Sequence, residues 1–250
     1  MDITILLYVL VGFIAQVIDG ALGMAYGVSS NTFLLSVGIP PAAASASVHM
    51  AEVATTAVSG ISHWRLGNID WNLVKRLLIP GVIGGVAGAY LLTSIDGNII
   101  KPYISAYLLI MGIIILVKAF NQKERKGAGE YTARVSALGL VGGFFDSIGG
   151  GGWGPVVTTT LVARGKNPRL TIGSVNFSEF FVTLAESVTF VLTLSFSQYW
   201  QIILGLLIGG AIAAPLAARM TKLLPVKALM IMVGTLIIIL SIRTIYLTLA

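Results

Sequence analysis

The chain has no cysteine among its 250 residues. Neither a disulfide framework nor a thiolate metal site is open to it, and the redox state of its compartment leaves no mark. Charge is also scarce. Charged residues make up 10% of the chain and hydrophobic ones 56%, where a soluble globular domain carries about 25% charged residues. A mean hydropathy of +0.92 excludes an ordinary water-soluble domain and leaves no room for a separate one beside the apolar spans. No nucleotide-binding motif is present, which argues against direct use of ATP. The start, Met1-Asp2-Ile3-Thr4, lacks the basic region of a cleavable signal peptide, so the first apolar run reads as retained. The net charge of +6 resides in short loops beside apolar spans. That is the pattern of membrane orientation, and it excludes a nucleic-acid surface.

What the sequence does contain is an interrupted apolar segment, twice. GFIAQVIDGALGMAYG (Gly12 to Gly27) and GLVGGFFDSIGGGGWG (Gly139 to Gly154) each pass from an apolar run through an aspartate and a glycine-rich break into another apolar run. The offset is 127 residues. Residues 12–56 set against 139–183 give twelve identities in forty-five positions, where composition alone gives roughly four. They include Asp19/Asp146, Gly23/Gly150, Gly27/Gly154, Thr32/Thr159, Pro41/Pro168 and Glu52/Glu179. The expected organisation is one membrane domain, 1–250, built from repeat 1 (1–120), a cytoplasmic linker (121–133) and repeat 2 (134–250).

Each copy holds three long apolar spans, near 42–64, 74–95 and 101–119, then 168–196, 200–220 and 226–248. The arms of the interrupted segments, 3–18 with 24–38 and 134–146 with 153–164, are each shorter than the roughly 20 residues of a full crossing. If each interrupted segment crosses once, the copies are parallel and the basic residues divide 9 to 7 between the two faces. If each returns as a hairpin, the copies are inverted and the division is 14 to 2, with only Lys101 and Arg243 on the poorer face. The positive-inside bias selects the hairpin. The expected fold is therefore an all-α integral membrane protein of two inverted repeats. Each repeat is a re-entrant or broken helical hairpin plus three transmembrane helices, with both termini outside and the basic loops cytoplasmic.

Five acids fall within apolar segments: Asp19, Glu52, Asp146, Glu179 and Glu186. No lysine or arginine does. At helical spacing Glu52 shares a stripe with Ser45, His49, Thr56 and Ser59, and its counterpart carries Asn176, Glu179, Thr183 and Glu186. Lipid offers no hydrogen-bond partner, so such stripes face protein or a water-filled cavity. For Asp19 and Asp146 two readings compete, a cap at a helix break or a functional acid. For Glu52 and Glu179, mid-helix and repeated, function is preferred. His49 reads either as a proton-handling group or as a satisfied core residue; its repeat partner Asn176 does not titrate.

The breaks carry other chemistry. Glycines leave backbone amides unobstructed, and a half-helix starting there turns its positive dipole end and free N–H groups inward, as an anion site requires. Substrate contacts are therefore expected from Gly23, Tyr26, Gly27, Asn31 and Thr32 in the first copy. In the second they are expected from Gly150, Gly151, Gly152, Trp153, Gly154, Thr159 and Asn176. Tyr26 and Trp153 have an equal alternative in interior packing. Proton coupling or gating is expected from Asp19, His49, Glu52, Asp146 and Glu179. No metal and no cofactor is expected.

The glycine-rich first segment with its acid, the duplicated layout, the basic central loop and the length together resemble the sulfite exporter TauE/SafE family, also called the toluene sulfonate uptake permeases. The resemblance covers essentially the whole chain. It implies an inner-membrane carrier of small sulfur-containing anions (sulfite, sulfoacetate or another sulfonate), a secondary transporter acting in export. Its partners are then the anionic substrate and the lipid bilayer, and the oligomeric state stays open. Two alternatives use the same residues: a passive anion channel, and an intramembrane aspartyl protease built on Asp19 and Asp146.

Overall fold

A computed structural model describes residues 3–22, 24–120, 133–164, 166–195, 199–220 and 226–249. Among them the chain is helical, with no strand. The first copy contributes α1 (Ile3–Leu22), α2 (Tyr26–Ser36), α3 (Pro41–Arg65), α4 (Trp71–Ser94) and α5 (Gly97–Phe120). The second contributes α6 (Ala133–Gly149), a π-helical turn (Gly154–Thr158) continuing into α7 (Thr159–Ala163), α8 (Pro168–Thr193), α9 (Trp200–Met220) and α10 (Val226–Leu249). The expected linker falls, but for Ala133, outside the described residues.

Local chemistry explains the helix starts. Proline opens both α3 and α8, where its missing N–H costs nothing. Asp70 caps α4 by accepting from the amides of Asn72 (2.9 Å) and Leu73 (3.3 Å). Asn167 caps α8 in the same way through Arg169 (3.0 Å) and Leu170 (3.3 Å).

Four described segments are long and apolar enough to cross a membrane: Trp71–Ser94, Gly97–Phe120, Arg169–Thr193 and Met230–Leu249. Ile5–Asp19 and Trp200–Ala213 are shorter apolar stretches. Helix α3 has 25 residues but is too polar to join them. Its Ser45, Ser47, His49, Glu52 and Thr56 are all buried, because the helix is sheathed by its neighbours.

The helices pair reciprocally between the copies. Helix α1 packs on α9 and α6 on α4, while α3 lies against α8 and α5 against α10. Glycine allows the first two contacts. A side chain at Gly84 or Gly143 would enter the backbone of the facing helix at Leu140 or Gly81, and one at Gly12 or Gly209 that of Leu206 or Val9. Helices α3 and α8 run antiparallel, as do α5 and α10. His49 packs near Phe190 and Gly60 near Phe177, and Gly112 faces Ile237 while Lys227 stands 4.9 Å over the Phe120 ring.

Other contacts fix the ends of the bundle. At one end Arg243, late in α10, donates to the carbonyl of Ser36, the last residue of α2 (2.5 Å), and Pro41 at the start of α3 touches Gly97 at the start of α5. At the opposite end the Asp70 amide donates to Ser174 Oγ (2.7 Å), and Arg169 Nε donates to Asn68 Oδ1 (2.5 Å). So α2 finishes at the first end and α7, a few residues before α8, at the second.

Candidate functional site

The two breaks meet in the middle of the molecule. In the second, Gly150 (φ 63°) and Gly151 (φ 150°) take backbone conformations that L side chains rarely adopt. The contact is backbone on backbone. A Cβ on Gly27 would stand 2.5 Å from the Gly150 carbonyl oxygen and 2.6 Å from Gly151 Cα. Asn31 stitches the breaks together by donating from Nδ2 to the Gly149 carbonyl at 2.5 Å.

Both aspartates cap the half-helix that follows them. Asp19 Oδ1 accepts from the amides of Ala25 (3.0 Å) and Tyr26 (3.4 Å). Asp146 Oδ1 accepts from those of Gly152 (2.5 Å) and Trp153 (2.8 Å). The carboxylates thus sit where an anion at a helix N-terminus sits, held by the same amides. Neither aspartate is hydrogen-bonded to the other among the described residues.

A narrow cleft opens between the breaks. Asp19, Glu52, Asp146 and Glu179 line it, together with Gly27, Val28, Gly151, Gly152 and Gly154. Four carboxyls from four different helices converge there, and among the described residues no basic side chain lines the cleft. The interior has room for about one water-sized body. Glu52 is 7% exposed.

The other expected residues stand around this cleft in distinct ways. Gly23 lies outside the described residues. Tyr26 and Trp153 are buried anchors behind the tips: Tyr26 OH donates to the Leu206 carbonyl (3.1 Å), and Trp153 Nε1 to the Val175 carbonyl (3.2 Å). Thr32 and Thr159 donate their hydroxyls back to Val28 and Pro155 of their own helices, and Asn176 donates to the Ile172 carbonyl (3.1 Å). Gly150 supports the contact with Gly27.

His49 lies to one side of the cleft, fully buried, with Nδ1 2.7 Å from the Ser45 carbonyl. Its Nε2 is 2.8 Å from Glu186 Oε2 and 3.7 Å from Asp146 Oδ2. Glu186 stands on the polar stripe of its helix, seven residues beyond Glu179, and is 0% exposed. Its role was missed by the sequence expectation. The stripe was the available signal; the pairing with a histidine from the other copy is tertiary. His49, Asp146 and Glu186 have the side-chain chemistry of metal ligands and lie close together. The 2.8 Å separation is nevertheless shorter than the roughly 3.3 Å between two ligands of one tetrahedral ion, and suits a shared hydrogen.

Residues 8–244 match the family described as "Sulfite exporter TauE/SafE". The chain is 42% identical over 246 residues to the "Probable membrane transporter protein YtnM" of Bacillus subtilis, covering 96% of this chain and 82% of that one. It is 25% identical over 228 residues to the "Probable membrane transporter protein YdhB" of the same organism, covering 88% of each. A "Probable membrane transporter protein" of Haemophilus influenzae is 25% identical over 212 residues, covering 84% and 82%. No solved structure matches. The chain belongs to the sulfite exporter TauE/SafE family and is a membrane transporter.

Proposed function

From that membership and the geometry of the breaks, we propose that the protein is a secondary transporter that exports small sulfur-containing anions: sulfite, sulfoacetate or another sulfonate. The observation that carries this reading is the meeting of two half-helix N-termini at one cleft. Substrate oxygens and aspartate carboxylates are interchangeable acceptors for the amides of Ala25, Tyr26, Gly152 and Trp153. An incoming anion takes amides that Asp19 or Asp146 releases, and the cleft widens to admit it. Dipoles and neutral donors hold the anion, so it also leaves readily.

The acid lining sets a condition on binding. An anion among four ionised carboxylates is repelled strongly in a medium that screens poorly. Protonation of Glu52 and Glu179 on the cleft wall, and of the aspartates as they leave their caps, therefore attends anion entry and tunes the site, while a coupling proton crosses with the anion. The two copies act as inverted repeats of one domain, each re-entrant hairpin entering from its own face, with rocking of one copy against the other exchanging access. Supporting this are the antiparallel course of α3 against α8 and of α5 against α10, and the opposite ends at which α2 and α7 finish. The basic loops then mark the cytoplasmic face of the cell membrane, with both termini outside.

The test is uptake into proteoliposomes of sulfite, sulfoacetate and thiosulfate, with sulfate alongside and the pH gradient varied. Saturable uptake against a substrate gradient is expected, reduced at least tenfold in the Glu52→Gln/Glu179→Gln double variant. Flux that never exceeds equilibrium would make the protein a passive anion channel and overturn the reading. The protease alternative gains no support from the site, because each aspartate is bonded to its own segment's amides and not to its twin.

A further inference from the structure

The buried cluster of His49, Asp146 and Glu186 has an unusual pattern of satisfied and unsatisfied atoms. Each group has one polar atom fixed by the protein. His49 Nδ1 bonds the Ser45 carbonyl at 2.7 Å, Asp146 Oδ1 accepts two amides, and Glu186 Oε1 accepts from Ser147 Oγ at 2.8 Å. A carbonyl can only accept, so Nδ1 carries a hydrogen and Nε2 of the neutral ring is left as a lone pair. The three remaining atoms, His49 Nε2, Asp146 Oδ2 and Glu186 Oε2, are buried with no hydrogen-bond partner, and they converge. Glu186 Oε2 stands 2.8 Å from Nε2, near enough to share a hydrogen once the ring carries one there.

Three acceptors facing each other in a dry interior repel one another unless a cation lies among them. A structural tie between helices would pair these atoms off, as Asp146 Oδ1 is paired by the amides of Gly152 and Trp153. Here the second atom of each group is held while the first is left to meet a cation. Among the described residues no lysine or arginine forms an ion pair with any of the three.

The cluster also shares a residue with the cleft. Asp146 is the shared member: Oδ1 holds the half-helix amides, Oδ2 faces His49. Rotation of this one carboxyl couples the release of two amides to a change in what His49 and Glu186 must balance. The other copy has no equivalent. At the 127-residue offset His49 becomes Asn176 and Glu186 becomes Ser59, neither of which titrates. Asn176 keeps the same bond to the carbonyl four residues earlier, so the position is conserved in shape and stripped of its proton chemistry.

We propose that His49, Asp146 and Glu186 form a single binding site for the coupling proton, present in one half of the molecule only, with Asp146 transmitting its occupancy to the anion cleft. This rests on the transporter reading above and adds to it the place and number of the proton. The titratable groups that act on His49 are Asp146 from α6, Glu186 from α8 and Glu52 on its own helix; around these acids in turn stand Glu179 from α8, Asp19 from α1, Tyr26 from α2 and Tyr107 from α5. Helix α4 presents Gly85 to Glu186.

The chain has two histidines, His49 and His63, so the proton is visible directly. The intact protein in lipid nanodiscs, labelled with ¹⁵N-histidine, is titrated by NMR, with His63→Gln assigning the signals. Nε2 of His49 is expected to gain and lose a proton across the working pH range with Nδ1 protonated throughout. In Glu186→Gln the pH at which this happens moves by about one unit or more, while Ser59→Ala leaves it in place. In proteoliposomes holding a pH dye, Glu186→Gln and His49→Gln each lower the protons moved per anion at least fivefold, and Ser59→Ala does not. The wild-type titration does not depend on any variant folding. A His49 ring that never changes protonation overturns the proposal, as does a stoichiometric metal in elemental analysis of the purified protein. If wild-type protein moves no anion while His49 titrates as stated, the transport reading fails and the proton site stands.

Discussion

Replacing Gly27 by alanine tests the contact between the two breaks. The added Cβ would lie 2.5 Å from the Gly150 carbonyl oxygen and 2.6 Å from Gly151 Cα, where ordinary contact begins at 3.4 Å. Both obstacles are backbone, so no side chain turns aside to relieve them. The tips must separate by about 0.9 Å, and overpacking of this size costs about 1–3 kcal/mol. That cost falls on states in which the tips touch, so their population drops by roughly 5- to 150-fold. If the transport cycle passes through a state with the tips closed, initial rates of sulfite movement in proteoliposomes fall by a similar factor. Gly38→Ala is the control. Gly38 also has a positive φ (96°) but nothing within 4 Å, so it pays a backbone strain of about 1 kcal/mol far from the tips. Thermal unfolding in detergent should then give similar midpoints for the two variants, while transport separates them. Wild-type rates in Gly27→Ala would refute the reasoning, and Gly27→Val should exceed Gly27→Ala in effect.

Further outcomes follow from the same geometry. Asp146→Ala leaves the Gly152 and Trp153 amides without their acceptor and should lower stability by about 2 kcal/mol; Asp146→Asn, which keeps one acceptor oxygen, should lose less in the same denaturant titration. Trp153→Ala empties a fully buried site against Gly81 and should cost about 3–5 kcal/mol, read as a fall in unfolding midpoint. Because the chain has no cysteine, single cysteines at positions 40 and 166 can be labelled cleanly. They should react from opposite sides of a vesicle, and same-side labelling would sink the inverted arrangement.

Glu52 and Glu179 could be chosen from the sequence because period and repeat both marked them, and the cleft contains both. The glycine breaks were equally legible, since four consecutive glycines have no good use inside a helix. Less could be said of the polar residues beside them. Asn31, Thr32, Thr159 and Asn176 were expected as substrate donors; the threonine hydroxyls donate to Val28 and Pro155, and each asparagine gives one amide hydrogen to Gly149 or Ile172. A composition rule counts donors and does not see which carbonyls are nearby. The tips' aromatic residues, Tyr26 and Trp153, took the packing role that the sequence held open, because a long side chain at a backbone junction finds its carbonyl partner on another helix.

The sequence by itself determined the class of the protein and the positions of its interruptions: hydropathy and the 127-residue offset are one-dimensional properties, and they survive without coordinates. That Asp19 and Asp146 cap the half-helices emerged only in three dimensions, where Oδ1 of each meets amides six and seven residues ahead. Tertiary structure alone decided that Asp146 also faces His49, 97 positions earlier, and that Glu186 completes the group. Period places a side chain on a face of its helix, but which faces meet depends on helix pairing, and here that pairing crosses between the copies.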